Sequence, residues 1–166
     1  HTDVSRESTG VGVLCAFEVG AKLVDMEQVQ FIPFAITYPE SLVGLMCGEP
    51  YTAGPKGVLV NSRGEEIMRN IPSRTRAEVS KAIVLEVMKG GGGPNGGLFL
   101  DLRKNKEDEE GKVIFEHYTK GLFRELGELV RFAYGEKAFM WDEPWEVYPT
   151  AHYSMGGILV DETCWT

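Results

Sequence analysis

The sequence predicts an α+β domain, and three observations carry the prediction. Of its 166 residues, 43% are hydrophobic and 25% charged, the size and apolar content of one domain with a sizeable core. Two stretches, Arg76 to Met88 and Tyr118 to Ala133, have the apolar spacing of amphipathic helices. Around them, short β-rich runs are separated by Gly- and Pro-containing turns in no strand–helix–strand rhythm, which argues against a parallel sheet. Short strands, one hairpin and two to four helices are therefore expected.

Taken in order, Val13, Leu14, Phe17, Ala21 and Val24 fall near helical spacing behind Ser8-Thr9-Gly10, a start that suits an N-cap. Val29 to Phe34 reads as a strand that ends or turns at Pro33. A long irregular stretch is expected next. Gly54 to Gly57 is a turn, Val58 to Asn61 a strand and Ser62 to Glu65 a second turn, together a hairpin. In the helix from Arg76, the residues Val79, Ile83, Val84 and Val87 share one face, and Lys89 with Gly90 to Pro94 stops it. That glycine run has the composition of a linker, but Leu98 to Leu102 resumes at once as an apolar strand, so a long loop inside one domain is expected. No Lys-Ser/Thr pair follows to make it a phosphate loop. Lys104 to Lys112 reads as a solvated connection, and the second helix is expected to turn Leu122, Leu126, Leu129 and Val130 inward. Trp141 and Trp145 belong to the core or to a docking face.

The charge excludes one class of function. With 17 basic and 25 acidic residues, the net charge of -8 has the wrong sign for neutralising nucleic-acid phosphates. Cys15, Cys47 and Cys164 form no CxxC or Cys/His cluster, which speaks for a reducing compartment and against a zinc site. No leader pattern opens the chain, and no apolar run approaches the roughly 18 residues of a membrane span. His1 in place of Met and the ending DETCWT suggest an excised segment.

Four segments in series carry a resemblance. Thr9-Gly10-Val11-Gly12 with Gly20-Ala21, Asp25-Met26-Glu27 and Val29-Gln30-Phe31 is one. Gly57 to Asn61 with Arg63-Gly64-Glu65 and Met68 is the second. Arg76 to Ile83 followed by Gly96 to Asp101 is the third, and Pro149-Thr150-Ala151-His152-Tyr153-Ser154-Met155-Gly156-Gly157-Ile158 the fourth. The series resembles the flavoprotein family of fumarate reductase, succinate dehydrogenase and L-aspartate oxidase, with its "DMEFVQFHPT", "G-x-L-V-N-x-x-G-E" and "PTxHYxMGGI" motifs.

That resemblance implies a fragment of an FAD-dependent oxidoreductase: the cap that covers the flavin, binds an organic acid and delivers a proton. It divides the chain into a residual FAD-lobe helix (1–28), the capping domain (29–150) and a return segment (151–166). The partners are a further FAD-binding lobe of the same polypeptide, a small organic acid and an electron-transfer subunit. The location is cytoplasmic or, through that subunit, at a membrane periphery, and the segment by itself is expected to be inactive. Arg76 matches the family's proton-transfer arginine, Glu49 its relay glutamate and His152 the histidine that binds a substrate carboxylate. The relay's second arginine is absent near Thr52, which leaves water or Glu78 as substitutes. The resemblance places Thr9, Gly10, Gly156 and Gly157 at the cofactor. Ile32, Phe34 and Gly48 occupy substrate-binding positions where the family has His, Thr and Thr. A carboxylate buried there without donors costs several kcal/mol, so a less polar or longer substrate than succinate or fumarate is expected.

Plainer readings stand beside these. Arg76 can be a surface ion pair with Glu78 or Glu66, His152 a structural histidine, and Cys47 an inert small side chain. A non-catalytic α+β binding domain and an enzyme resembling L-aspartate oxidase are the alternatives.

Overall fold

Short apolar strands build one antiparallel sheet through most of the chain in the computed structural model, which describes residues 1–166. A first helix, α1 (Val11–Glu18), leads to the two-residue strand β1 (Leu23–Val24), then β2 (Val29–Ile36), β3 (Met46–Gly48), β4 (Val58–Val60) and β5 (Glu66–Met68). After α2 (Arg76–Glu86) come β6 (Leu98–Asp101), α3 (Glu109–Thr119), α4 (Arg124–Tyr134), the short α5 (Glu136–Phe139), β7 (Trp145–Ser154) and β8 (Gly157–Ile158). Six strands pair in the order β3-β2-β7-β6-β4-β5, and β1 pairs with β8 in a separate small sheet. This mixture of five helices with antiparallel sheets agrees with the predicted class at the coarse level. No helix is long and apolar enough to cross a membrane.

The core is one cluster. Phe34 and Ile36 of β2, Leu98 and Leu100 of β6 and Val147 of β7 meet Val79 and Ile83 of α2, Tyr118 of α3 and Val130 of α4, all essentially without exposure. Trp141 and Trp145 lie in the same cluster, so the tryptophans are core.

Several expectations are corrected. β2 does not stop at Pro33: it is an inner strand that runs on to Ile36. The proline is accommodated because the register jumps between Ile32, opposite Thr150, and Ala35, opposite Tyr148. Two residues of β2 thus face one of β7, and that one is Pro149, so a bulge gathers both prolines where no ladder N–H is called for. The irregular stretch contains β3, and the charged connection is a 3-10 turn (Arg103–Glu107) followed by α3, capped by Asp108 accepting from the Gly111 N–H at 3.1 Å. The second predicted helix is two, broken at Lys120–Phe123, which leaves Leu122 80% exposed instead of inward. At α1, the N-cap is Gly10 in the left-handed region (φ 73°), and no side chain of Ser8 or Thr9 caps it.

Candidate functional site

The first turn of α2 places the central pair. Thr75 and Glu78 form a capping box: the Thr75 hydroxyl accepts from the Glu78 N–H at 3.2 Å, and the Glu78 carboxylate accepts from the Thr75 N–H at 2.8 Å. The box fixes where the next residue, Arg76, leaves the helix. Across the gap, Glu49 stands just past β3 on a turn held by Thr52, whose hydroxyl accepts from the Glu49 N–H and donates to the Glu49 carbonyl, both at 2.9 Å. Arg76 then donates to Glu49 from Nε at 2.8 Å and from Nη2 at 2.5 Å, a two-point contact that sets the guanidinium plane. The bound carboxylate holds the Arg76 pKa above its ordinary value, against a smaller opposing effect of burial. One expectation changes here. Neither Glu78 nor Glu66 is the partner of Arg76, because Glu78 is engaged by Thr75 and Glu66 by Arg69. Thr52 is buried and committed to the Glu49 backbone.

Arg76 borders an open cavity of about 730 Å³ between α2 and the paired strands β2 and β7. Its cations are Arg76 and Lys81, it has no carboxylate, and Phe31, Leu85 and Met155 supply apolar wall. Ser80, one helical turn after Arg76, also lines it, and its hydroxyl is buried without a hydrogen-bond partner.

His152 lies near the end of β7. Its Nδ1 is 2.8 and 3.0 Å from the two Asp3 carboxylate oxygens. Its ring is 3.9 Å, centroid to centroid, from that of Tyr153, and Tyr153 is near enough to Arg76 to bear on its charge. Two cavities of about 360 and 590 Å³ open beside His152, the first including Arg6 and Ser8 and the second Leu14 and Phe17 of α1. Tyr153 lines both.

Of the other expected positions, Gly10 and Gly156 line the larger of these two cavities together with His152. Ile32 and Phe34 have no exposed surface, and a Cβ on Gly48 would sit 3.0 Å from the Thr52 hydroxyl and 3.5 Å from the Phe34 ring. A Cβ on Gly156 would come within 2.3 Å of the Asp25 backbone, so packing against the end of β1 requires glycine there, while Gly157 has open space. Thr9 and Gly10 are exposed before α1, where Gly10 and Gly12 have nothing within 4 Å of an added Cβ. Sequence reasoning missed Asp3, Ser80 and Lys81. Ser80 and Lys81 follow Arg76 on a helix that was anticipated, whereas nothing local ties Asp3 to a histidine 149 residues away. No cluster of His, Cys, Asp and Glu is placed to hold a metal ion.

Known proteins share this sequence and fold. The model of a family described as FAD binding domain matches residues 2–166. One chain of the fumarate reductase (CoM/CoB) of Methanothermobacter marburgensis is 40% identical over 97% of this chain and 28% of its own length. The L-aspartate oxidase of Xylella fastidiosa is 32% identical over 92% of the chain and 27% of its own length. The solved structure of a quinol–fumarate reductase with menaquinol molecules aligns over 100% of this chain and 29% of its own, with a TM-score of 0.70 and 28% identity. The chain thus spans little more than a quarter of these relatives.

Proposed function

We propose, because the chain belongs to the FAD binding domain family, that it is the substrate-facing part of an FAD-dependent oxidoreductase of the fumarate reductase type. In this reading, residues 29–150 cap the flavin, 1–28 and 151–166 connect the cap to a further lobe of the same polypeptide, and an electron-transfer subunit is a partner. The fumarate reductase relative is named as one subunit of its enzyme, which supports such a partner.

FAD is the cofactor implied by the family and by its fumarate reductase relative. The residues present fit a part of it. The first turn of α1 has no capping side chain and no acidic residue, and open space at Gly10 and Gly12 leaves its N–H groups approachable by an anionic group such as a phosphate. Thr9 and Gly10 would hold the cofactor there, with Gly157, half-buried but with open space where a Cβ would stand, as a backbone contact. When bound, the flavin supplies hydride exchange with a substrate carbon.

The protein's own residues supply the proton and the grip on the substrate. The observation that carries this reading is the Arg76–Glu49 contact at the rim of an open cavity. A guanidinium seldom gives up a proton, so it acts as a donor only when a carboxylate can restore what it loses. Glu49, three-quarters buried at its side chain and bound at two points, is placed for that return and fixes the guanidinium plane. Nη1 makes no hydrogen bond to the protein and is the atom available to the substrate. His152 binds the substrate carboxylate. With an apolar wall beside Arg76 and Lys81 and no further cation in the cavity, an acid with an apolar body fits better than succinate or fumarate.

The test is reoxidation of reduced flavin in the full-length, FAD-loaded protein by a panel of unsaturated acids, fumarate included. Arg76→Ala should lower the fastest rate by at least about 100-fold, the scale of a lost general acid, with flavin content unchanged. A variant that retains the parent rate refutes the role of Arg76, and fumarate as the best acid refutes the substrate argument.

A further inference from the structure

The His152 side chain has a partner that no motif indicates. Thr2 forms a parallel bridge with Ala151, its hydroxyl donates to the Ala151 carbonyl at 2.8 Å, and the Ala151 N–H donates to the His1 carbonyl at 3.2 Å. The next N–H along, that of Asp3, reaches the Ala151 carbonyl at 3.4 Å. The first residues are therefore held beside β7 by an isolated bridge, and this brings Asp3 onto His152. Both oxygens of the carboxylate contact Nδ1, and the two side chains are 8% and 14% exposed. The contact is closer and drier than a casual surface pair.

An ionised carboxylate only accepts, so the Asp3 contact makes Nδ1 the donor and fixes the plane of the ring. Nε2 is left without a protein partner, on a ring that borders the two cavities at the end of β7. The charged and titratable groups around it are Asp3 beside β7, Arg6 in the lining of the smaller cavity, and Tyr153, whose ring is tilted at 54° close by. A histidine that binds a ligand through one nitrogen needs the other one held, because a free imidazole rotates and exchanges tautomers.

We propose that Asp3 is a positioning residue for His152: it pins Nδ1 as a donor and so presents Nε2 to the substrate carboxylate. The proposal rests on the reading of His152 as the substrate binder.

The experiment uses the full-length, FAD-loaded protein and the change in flavin absorbance on titration with two probes, succinate and 3-phenylpropionate. Dissociation constants are measured for Asp3→Ala, Asp3→Glu, His152→Ala and the double variant Asp3→Ala/His152→Ala, each checked for flavin content. Asp3→Ala and His152→Ala should each weaken the better probe by about 10- to 100-fold, the scale at which orienting partners of histidine ligands act. Asp3→Glu should recover most of the affinity, and the double variant should be no weaker than His152→Ala alone. Nitrogen-15 spectra of histidine-labelled protein add a readout that a purely structural role would leave unchanged: the proton should sit on Nδ1 of His152, and lose that preference in Asp3→Ala. If His152→Ala weakens binding while Asp3→Ala does not, the positioning role is refuted and the reading of His152 stands. If His152→Ala is silent, or neither probe binds, the reading itself fails and takes the assignment of Asp3 with it.

Discussion

Glu49 and Thr52 divide one task over three residues: Thr52 sets the turn, and Glu49 projects from it to Arg76. Replacing Glu49 by Gln keeps the shape but removes the acceptor charge and the capacity to return a proton. Glu49→Gln should therefore slow flavin reoxidation by about 10- to 1000-fold while leaving the melting temperature within a few degrees, since a partly exposed ion pair adds little stability. Stopped-flow rates and a thermal melt on the same preparation separate the two effects. A contrast lies at Cys47, two residues before Glu49. Burial pushes its thiol up to about 12, and its Sγ donates to the Phe34 carbonyl at 3.4 Å, so at pH 8 it holds almost no thiolate. Peptide mapping after brief alkylation should find label on the exposed Cys15 and Cys164 and on Cys47 only after denaturation; early labelling there would show that β3 opens. The sequence singled out Arg76, Glu49 and His152 because each stands inside a motif, and the structure brings the first two into contact. Asp3 was not legible there, because its contact with His152 depends on a single bridge between Thr2 and Ala151, and a pairing across 149 residues leaves no periodic trace.

At the level of elements, the glycine run between α2 and β6 shows what composition can and cannot say. The sequence predicts a loop within one domain, and the structure explains its glycines. The Glu146 carboxylate on β7 is buried and accepts from the Gly97 N–H at 2.7 Å, the Asn95 N–H at 3.0 Å and the Asn95 amide at 2.8 Å. The loop's N–H groups thus close on a carboxylate of the same chain, a second reason, beside the missing Lys-Ser/Thr, that it does not cradle a phosphate. A Cβ on Gly97 would stand 2.4 Å from the Val147 carbonyl, and one on Gly93 2.8 Å from Glu146 itself. Glu146→Ala should destabilise the protein by about 2–4 kcal/mol, since it strands buried N–H groups, and denaturant unfolding of the full-length protein measures this. An effect below about 1 kcal/mol would mean that water replaces the carboxylate. The hairpin β4–β5 and helix α2 were readable because turn residues and a 3.6-residue period specify them locally. β3 and β7 were not, because β3 has three residues and β7 carries Pro149 at a bulge. The split between α3 and α4 was missed because the apolar period continues across Lys120–Phe123 although the backbone does not.

For the whole molecule, the distribution of apolar surface decides more than its amount. The helices packed on the six-stranded sheet bury Val79, Ile83, Tyr118 and Val130, whereas α1 has no buried residue and exposes Val11, Leu14 and Phe17 by more than half each. Beside it, Met26, Tyr153, Met155 and Leu159 are also exposed, so the apolar surface follows α1 to the β1–β8 pair and the end of β7. A patch of this kind on one side of a domain marks a face that another surface covers. The length comparison supports the further lobe of the same polypeptide as the cover, since the chain spans 28% of the fumarate reductase relative. The face also includes the open first turn of α1 and borders His152, so under the proposed function covering it would also complete the site. Leu14→Gln with Phe17→Gln should then weaken flavin retention in the full-length protein by about 10-fold or more and lower its melting temperature, while the same pair in the isolated 166-residue segment should reduce self-association without loss of helical signal. Flavin release followed by fluorescence, with sedimentation of the segment, reads both arms. Full flavin retention with unchanged stability would mean that α1 stays exposed in the full-length protein, and the division of the chain into a cap and two connecting pieces would have to be redrawn.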